Sequence, residues 1–237
     1  MSDTTATTAE PTLGPAELAP YIQHTKIESD ATRDDMIAHA REAVTHGFNA
    51  AMVPASWVSV VAAELSGTGI EVASALDFPT VGVMTSAGKA AEAAEIARRG
   101  ATQLDMGVQI GWLKSGMYDE FREDIAGVVR ASGLPVKVML ELPLLTDSEK
   151  EAAVELAMEA GAAFLKNASS GQIETANPTS VRYLVDRARD GVRVKASGSI
   201  KNYRQALELL RAGASLLGTS AGVAIVTDTA DDSTTSY

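Results

Sequence analysis

One pattern returns along this chain and limits what it can fold into. An Ala- and Glu-rich helical stretch ends at a glycine, and a short apolar run follows at once. It reads Thr45-His46-Gly47 before FNAAMV, Arg98-Arg99-Gly100 before ATQLDMGV, Glu159-Ala160-Gly161 before AAFLKNA, and Arg211-Ala212-Gly213 before ASLLGTS. A glycine just past the last helical turn takes the left-handed cap, and an apolar run directly behind it reads as a buried parallel strand. These glycines stand about 50–60 residues apart, the length of two strand–helix units. GIEVASALDF, PVKVMLEL and VRVKASG fill the gaps, and YIQHT supplies a short first strand. The strands alternate with helices expected at about 32–46, 55–66, 85–99, 117–131, 147–160, 178–189, 202–212 and 220–226. Eight such alternations without a second composition regime predict one α/β domain over residues 16–226, a single (β/α)8 barrel. A doubly wound open sheet is the alternative. It would carry a glycine-rich phosphate turn after an early strand, and neither G-x-G-x-x-G nor a P-loop is present.

The flanks read differently. Residues 1–15 are small and polar, without the basic start of a signal peptide, and residues 227–237, TDTADDSTTSY, are acidic with almost no apolar side chains; both are expected to be disordered. The net charge of -11 argues against nucleic acid and against an anionic membrane surface, which need basic patches. It leaves room for a local basic pocket that takes a phosphorylated metabolite. No apolar run approaches the length of a membrane span. The absence of cysteine excludes disulfides and thiolate chemistry. A soluble cytoplasmic protein acting on a small molecule is the expectation, with a homodimer or larger homo-oligomer as alternatives to a monomer.

In a barrel the active site lies at the C-terminal ends of the strands. Four ionisable residues fall there: Asp105 on strand four, Glu141 on strand five, Lys166 on strand six and Lys195 on strand seven. Lysine inside an apolar strand is rare, because the charged form is poorly solvated there. Two lysines on neighbouring strands repel as well, and repulsion and burial both lower a lysine pKa toward neutrality. A neutral amine is what a Schiff-base nucleophile must be. Asp105 is placed to move protons to and from the carbinolamine. A purely structural reading, each lysine paired with a strand carboxylate, fits Lys137 better. It is mid-strand with the parity of Met139 and Glu141, a charge partner of Asp105 or Glu141 that tunes the substrate site. No metal is expected. His24, His39 and His46 show no chelating spacing; only His24 falls near the rim, and His39 and His46 read as helix-surface residues. A covalent imine needs no cofactor.

Three loops combine glycine with hydroxyl residues: Asn167 to Gln172, with Ser170 and Gly171; Ala196 to Lys201, with Gly198 and Ser199; and Gly218 to Gly222, with Ser220. The last two run into helices, whose N-terminal N–H groups bind phosphate. Thr25, at the exit of the first strand, faces the same rim.

At these residues the chain resembles the deoxyribose-phosphate aldolase family over roughly residues 18–226. The segments QLDMGVQIGWLKSGMY, VKVMLELPLLTDSEK, AGAAFLKNASSG, VRVKASGSI and AGASLLGTSAGVAI carry the resemblance. It implies a barrel that cleaves 2-deoxyribose 5-phosphate reversibly to acetaldehyde and glyceraldehyde 3-phosphate, without a metal. It also implies that Lys166 forms the imine, Lys195 perturbs it and Asp105 transfers protons. Some members end in a tail whose terminal tyrosine enters the site, which gives Tyr237 a catalytic role by resemblance. The departures are local. Asn167-Ala168-Ser169-Ser170-Gly171 stands where T-S-T-G usually follows the lysine, and Gly198-Ser199-Ile200-Lys201 where Gly-Gly, Ile or Val, and Arg are usual. Met52-Val53-Pro54 replaces Val-Asn-Pro, Gln109 an asparagine, and Asp77-Phe78-Pro79 Gly-Phe-Pro. A paralogous Schiff-base aldolase or lyase with another sugar or keto-acid substrate, or a catalytically silent metabolite-binding barrel, are the alternatives.

Overall fold

The computed structural model describes residues 13–229. Eight parallel strands close into a barrel in chain order: β1 (Ile22–Thr25), β2 (Ala50–Met52), β3 (Glu71–Leu76), β4 (Gln103–Gly107), β5 (Val136–Met139), β6 (Phe164–Lys166), β7 (Arg193–Ser197) and β8 (Leu216–Thr219). The last strand pairs with the first, Gln23 opposite Gly218, so no edge is left open. Around the barrel lie α1 (Arg33–His46), α2 (Val58–Glu64), α3 (Ser86–Arg98), α4 (Ile110–Lys114), α5 (Tyr118–Ser132), α6 (Asp147–Glu159), α7 (Pro178–Val185), α8 (Tyr203–Arg211) and α9 (Gly222–Thr227).

The local causes are visible in the sequence. Thr32 and Thr146 open α1 and α6 with reciprocal capping boxes to Asp35 and Glu149. Asn177 and Asn202 cap α7 and α8 through their side chains. The four recurring glycines all have positive φ at the helix ends, as the repeat predicts. Phe121, Ile125 and Val128 recur at helical spacing and bury one face of α5, which packs against α3. The main core fills the layer between the barrel and its helices.

Some expected boundaries shift. The stretch 55–66 is a 3-10 turn, Ala55–Trp57, followed by α2, and the expected helix at 178–189 ends at Val185. The first strand begins at Ile22, because Pro15–Tyr21 forms a 3-10 helix. Two further short elements were not anticipated: α4, five residues with an internal glycine, and a 3-10 turn at Leu142–Leu144. The Tyr203 hydroxyl donates to the Leu13 carbonyl, so the ordered fold reaches ahead of Ala16. The acidic tail beyond residue 229 lies outside the described residues. Among those described, no helix is long and apolar enough to cross a membrane.

Candidate active site

Strand alternation sends every second side chain into the barrel. Register then sets neighbours: Asp105 lies opposite Lys137, Met139 opposite Lys166, and Lys166 opposite Lys195. Lys137, Lys166 and Lys195 meet at Asp105. Its Oδ2 accepts from Lys166 Nζ at 2.9 Å and from Lys195 Nζ at 2.7 Å. Its Oδ1 lies 3.3 Å from Lys137 Nζ, an ion pair without hydrogen-bond alignment. Lys195 Nζ also donates to Gln23 Oε1 at 2.6 Å. An ammonium only donates, so it fixes the Gln23 amide, whose Nε2 donates to Gln103 Oε1 at 2.7 Å and Asn49 Oδ1 at 3.1 Å. Gln23 was missed at the sequence level. Its signal was its place two residues before Thr25, on the same strand face.

One carboxylate balances one ammonium, so three protonated lysines would leave two positive charges in a closed interior. Burial by itself would raise the Asp105 carboxyl, yet Lys166, Lys195 and Lys137 outweigh it and hold the acid far below the usual carboxylate range. Burial pushes Lys195 well below the usual lysine value; Asp105 opposes the shift, and the other two amines add to it. Lys137 moves the same way, again chiefly by burial. Exposure separates the three amines. Lys137 is 0% exposed, Lys195 1% and Lys166 4%.

Above the cluster opens a cavity of about 480 Å³, with Lys166 and Lys195 in its lining. Thr25 at the exit of β1, Ser170 and Gly171 after β6, Gly198, Ser199 and Lys201 after β7, and Gly218 and Ser220 at the exit of β8 all line it. Gly198 has φ 121°, and a Cβ there would lie 2.0 Å from the Glu174 carbonyl oxygen, so only glycine fits. Gly218 serves the lysine as much as the cavity, since a Cβ there would lie 2.9 Å from Lys195 Cε. Ser199 sits at φ 50°, and its hydroxyl packs against the open side of Gly171.

A deoxyribose-phosphate aldolase of Methanothermobacter thermautotrophicus is 43% identical to this chain over 211 residues, which are 89% of this chain and 94% of that protein. That of Rhodospirillum rubrum is 41% identical over 226 residues, 95% of this chain and 94% of the other. The solved deoxyribose-phosphate aldolase of Aeropyrum pernix, described as a unique tetramer, superposes with a TM-score of 0.82 at 29% identity, covering 91% of this chain and 92% of that one. No family model matches. The chain belongs to the deoxyribose-phosphate aldolase family.

Within this aldolase barrel several departures acquire a local reason. Asp77, where glycine is usual, keeps the left-handed backbone at φ 51°, which Asp tolerates better than most side chains. Its carboxylate accepts from the N–H groups of Gly82, Val83 and Met84 and pairs with the buried Lys89 at 2.9 Å. Lys89 is held in turn by Asp124 at 2.8 Å and the Gly107 carbonyl at 2.9 Å. The network fixes the loop that carries Phe78 to the cavity wall. Gln109 donates to the Met84 carbonyl at 2.6 Å and ties the same loop to the exit of β4. Val53 is fully buried.

Other expectations are corrected. Lys137, grouped with the substrate residues, lies below Asp105 and does not line the cavity. Of its two expected partners it faces Asp105. Glu141 stands apart from the lysine cluster, left-handed at φ 51°, and accepts from Ser169 N–H at 2.9 Å; burial raises its pKa. His39 is buried, not on the surface, because it packs inward from α1 against β1. His24 faces the same helix layer, away from the rim. Its ring stacks on His39 at 4.4 Å, and its Nε2 lies 3.1 Å from Glu42 Oε2. His24, His39 and Glu42 therefore do gather, with ligand atoms within 4.8 Å of one another, although their spacing in sequence gave no sign of it. In a stacked pair the nitrogen lone pairs run side by side rather than converging. His39 Nε2 already contacts the His24 carbonyl at 3.0 Å. Burial lowers His24 and pushes His39 down to about 3. Tyr237 lies outside the described residues.

Proposed function

We propose that this chain cleaves 2-deoxy-D-ribose 5-phosphate reversibly to acetaldehyde and D-glyceraldehyde 3-phosphate through an imine on Lys166. The observation that carries the reading is the pair of lysines sharing one buried carboxylate on the floor of a cavity. Three amines against one acid favour loss of a proton from the cluster, and the neutral amine so obtained is the nucleophile. Lys166 fits that role better than Lys195. It has one acceptor where Lys195 has two, and it is the more exposed of the two.

The amine adds to the C1 carbonyl, and the carbinolamine loses water to give the iminium. The C2–C3 bond then breaks, its electron pair passing into the iminium to leave an enamine, while the C3 hydroxyl gives up its proton and becomes the aldehyde. Protonation at C2 and hydrolysis release acetaldehyde and restore the amine. The imine supplies the electron sink a metal otherwise would, so no cofactor enters this reading. Lys195, with its lowered pKa, is suited to pass protons, and Asp105, held ionised, accepts and orients them. The phosphate lies over Gly171, Gly198 and Ser199, with Lys201 as a point charge. Similarity to a tetrameric relative supports self-association, which sedimentation velocity checks.

Borohydride reduction in the presence of acetaldehyde tests the central step. Mass is expected on the peptide containing Lys166. Mass on Lys195 reverses the two roles, and no adduct with any carbonyl compound leaves a binding barrel. Lys166→Ala is expected to lower kcat/KM by about 10⁴ or more, since nothing else in the site can replace the covalent nucleophile.

A further inference from the structure

The residue after the proposed nucleophile is a fully buried asparagine. Its carboxamide makes three hydrogen bonds. Oδ1 accepts from the Ser197 N–H at 2.9 Å, and Nδ2 donates to the Ser197 carbonyl at 3.0 Å and to Glu174 Oε2 at 2.7 Å. Bonds to both the N–H and the C=O of one residue are what a paired strand segment makes. The side chain of Asn167 thus continues the β6–β7 ladder one step past the Lys166–Lys195 pair, at the point where β6 itself stops. Asn167 is one residue beyond Lys166, and Ser197 two beyond Lys195. Sliding one lysine against the other breaks these bonds. The Ser197 hydroxyl adds a return bond to the Ala168 carbonyl at 3.0 Å.

Glu174 decides which way the amide faces. A carboxylate only accepts, so Nδ2 must point to it, which leaves Oδ1 for the Ser197 N–H. A flipped amide would set its oxygen against two other oxygens. Glu174 is itself held by Asn177 Nδ2 at 3.1 Å and by the Ser180 hydroxyl, both at the start of α7. The threonine usual in the family at this position has one hydroxyl proton and cannot donate to both the Ser197 carbonyl and Glu174.

We propose that the Asn167 carboxamide, oriented by Glu174, is a positioning residue that sets the separation of Lys166 and Lys195 and thereby governs imine formation. The proposal rests on the imine reading above. The competing account is a loop fastener that matters only for stability, and the two differ in what the pH–rate profile does. Steady-state kinetics with 2-deoxyribose 5-phosphate across pH, together with acetaldehyde trapping, are run on the full chain and on Asn167→Ala, Asn167→Asp and Glu174→Gln. Asn167→Ala is expected to lower kcat about 10- to 100-fold, with KM within about threefold, because geometry is lost and binding is not. Its acid limb moves to higher pH, since loosened lysines repel each other less. Glu174→Gln gives the same direction more weakly. Asn167→Asp gives the largest effect, because its carboxylate faces Glu174 and holds the amines protonated. Every variant still traps acetaldehyde on Lys166 at alkaline pH. Variants that fold, with or without a lower Tm, and leave kcat and the acid limb unmoved overturn the proposal. Should the Asn167 variants not fold, Glu174→Gln decides by the same limb. Failure of the wild-type protein to trap acetaldehyde on either lysine defeats the imine reading itself, whereas intact trapping on Lys166 with unmoved variants defeats only this one.

Discussion

The two halves of the barrel interior are made of opposite materials. Gln103 and Asp105 on β4, Lys137 on β5, Lys166 on β6 and Lys195 on β7, joined by Gln23 from β1, form one continuous polar network. Across from it, Ala50 and Met52 on β2 and Ala73 and Ala75 on β3 form a small apolar cluster of their own, separate from the main core. In the polar half every group depends on another, because a buried charge without its partner costs several kcal/mol. In the apolar half the side chains are small, and their contribution is the space above them: Met52 and Ala75 form the cavity wall facing the lysines. On the function proposed above, one half holds the chemistry and the other leaves volume for substrate. Substitutions in the first should therefore act on kcat and on pH dependence, and those in the second on KM.

The harshest way to break this division is Asp105→Asn. It removes the one carboxylate among three amines, and kcat/KM should fall about 10³-fold or more while the fold loses about 3–5 kcal/mol at neutral pH. The sign of the pH dependence follows from the same charges. Without Asp105, Lys137 and Lys195 sit further below their unfolded value near 10.4, so the unfolded chain binds the extra protons and stability rises with pH toward that value. Denaturant titrations at pH 6, 8 and 10 check this, and a variant whose loss is equal at all three contradicts the shared-charge account.

Lys195→Met separates catalysis from stability. Lys195 is shifted down in the folded state, so between its folded and unfolded values the unfolded chain carries the extra proton and wild-type stability rises with pH. At neutral pH the buried amine therefore costs stability. Lys195→Met is expected to melt at or above the wild-type Tm at pH 7, with the difference closing toward pH 10. Its kcat should drop about 100-fold, and its acid limb should move to higher pH as a neighbouring positive charge disappears. A lower Tm at pH 7 would show that the lysine is structural.

Ala75→Leu gives the mildest expected change and sharpens the other side of the comparison. Three added carbons enter the cavity wall, so KM for the sugar phosphate should rise about tenfold while kcat changes less than threefold. Acetaldehyde, being smaller, should still trap normally. A large fall in kcat with KM unchanged would place Ala75 in the chemistry and erase the distinction between the halves.

Much of this was legible in the sequence, for physical reasons that differ by residue. The glycine-then-apolar repeat marked four of the eight strands, because a left-handed cap and a doubly buried strand each need a particular side chain. Asp105, Lys166 and Lys195 were legible because a charge in an apolar strand is costly and therefore informative. What was hidden depends on contacts between distant segments. Gln23 looks like an ordinary polar residue until β1 closes against β8 and brings it to Lys195, 172 residues away. His39 read as a surface residue because helical position alone does not say which face meets β1. Asn167 appeared only as a departure from the usual pattern, since its partners lie 7 and 30 residues away along the chain.

The closure of β8 onto β1 has a topological consequence. The 3-10 helix at Pro15–Tyr21 packs against α9, so the first and last elements among the described residues are neighbours. The barrel is then a ring in which the position of the break is incidental to the fold. A short linker joining the two elements, with a new opening on the face away from the cavity (at the turn between α3 and β4, for instance), would give a circularly permuted chain with the same ring of strands. In that chain Lys166 and Lys195 keep their neighbours, while the order in which the strands emerge during synthesis changes completely.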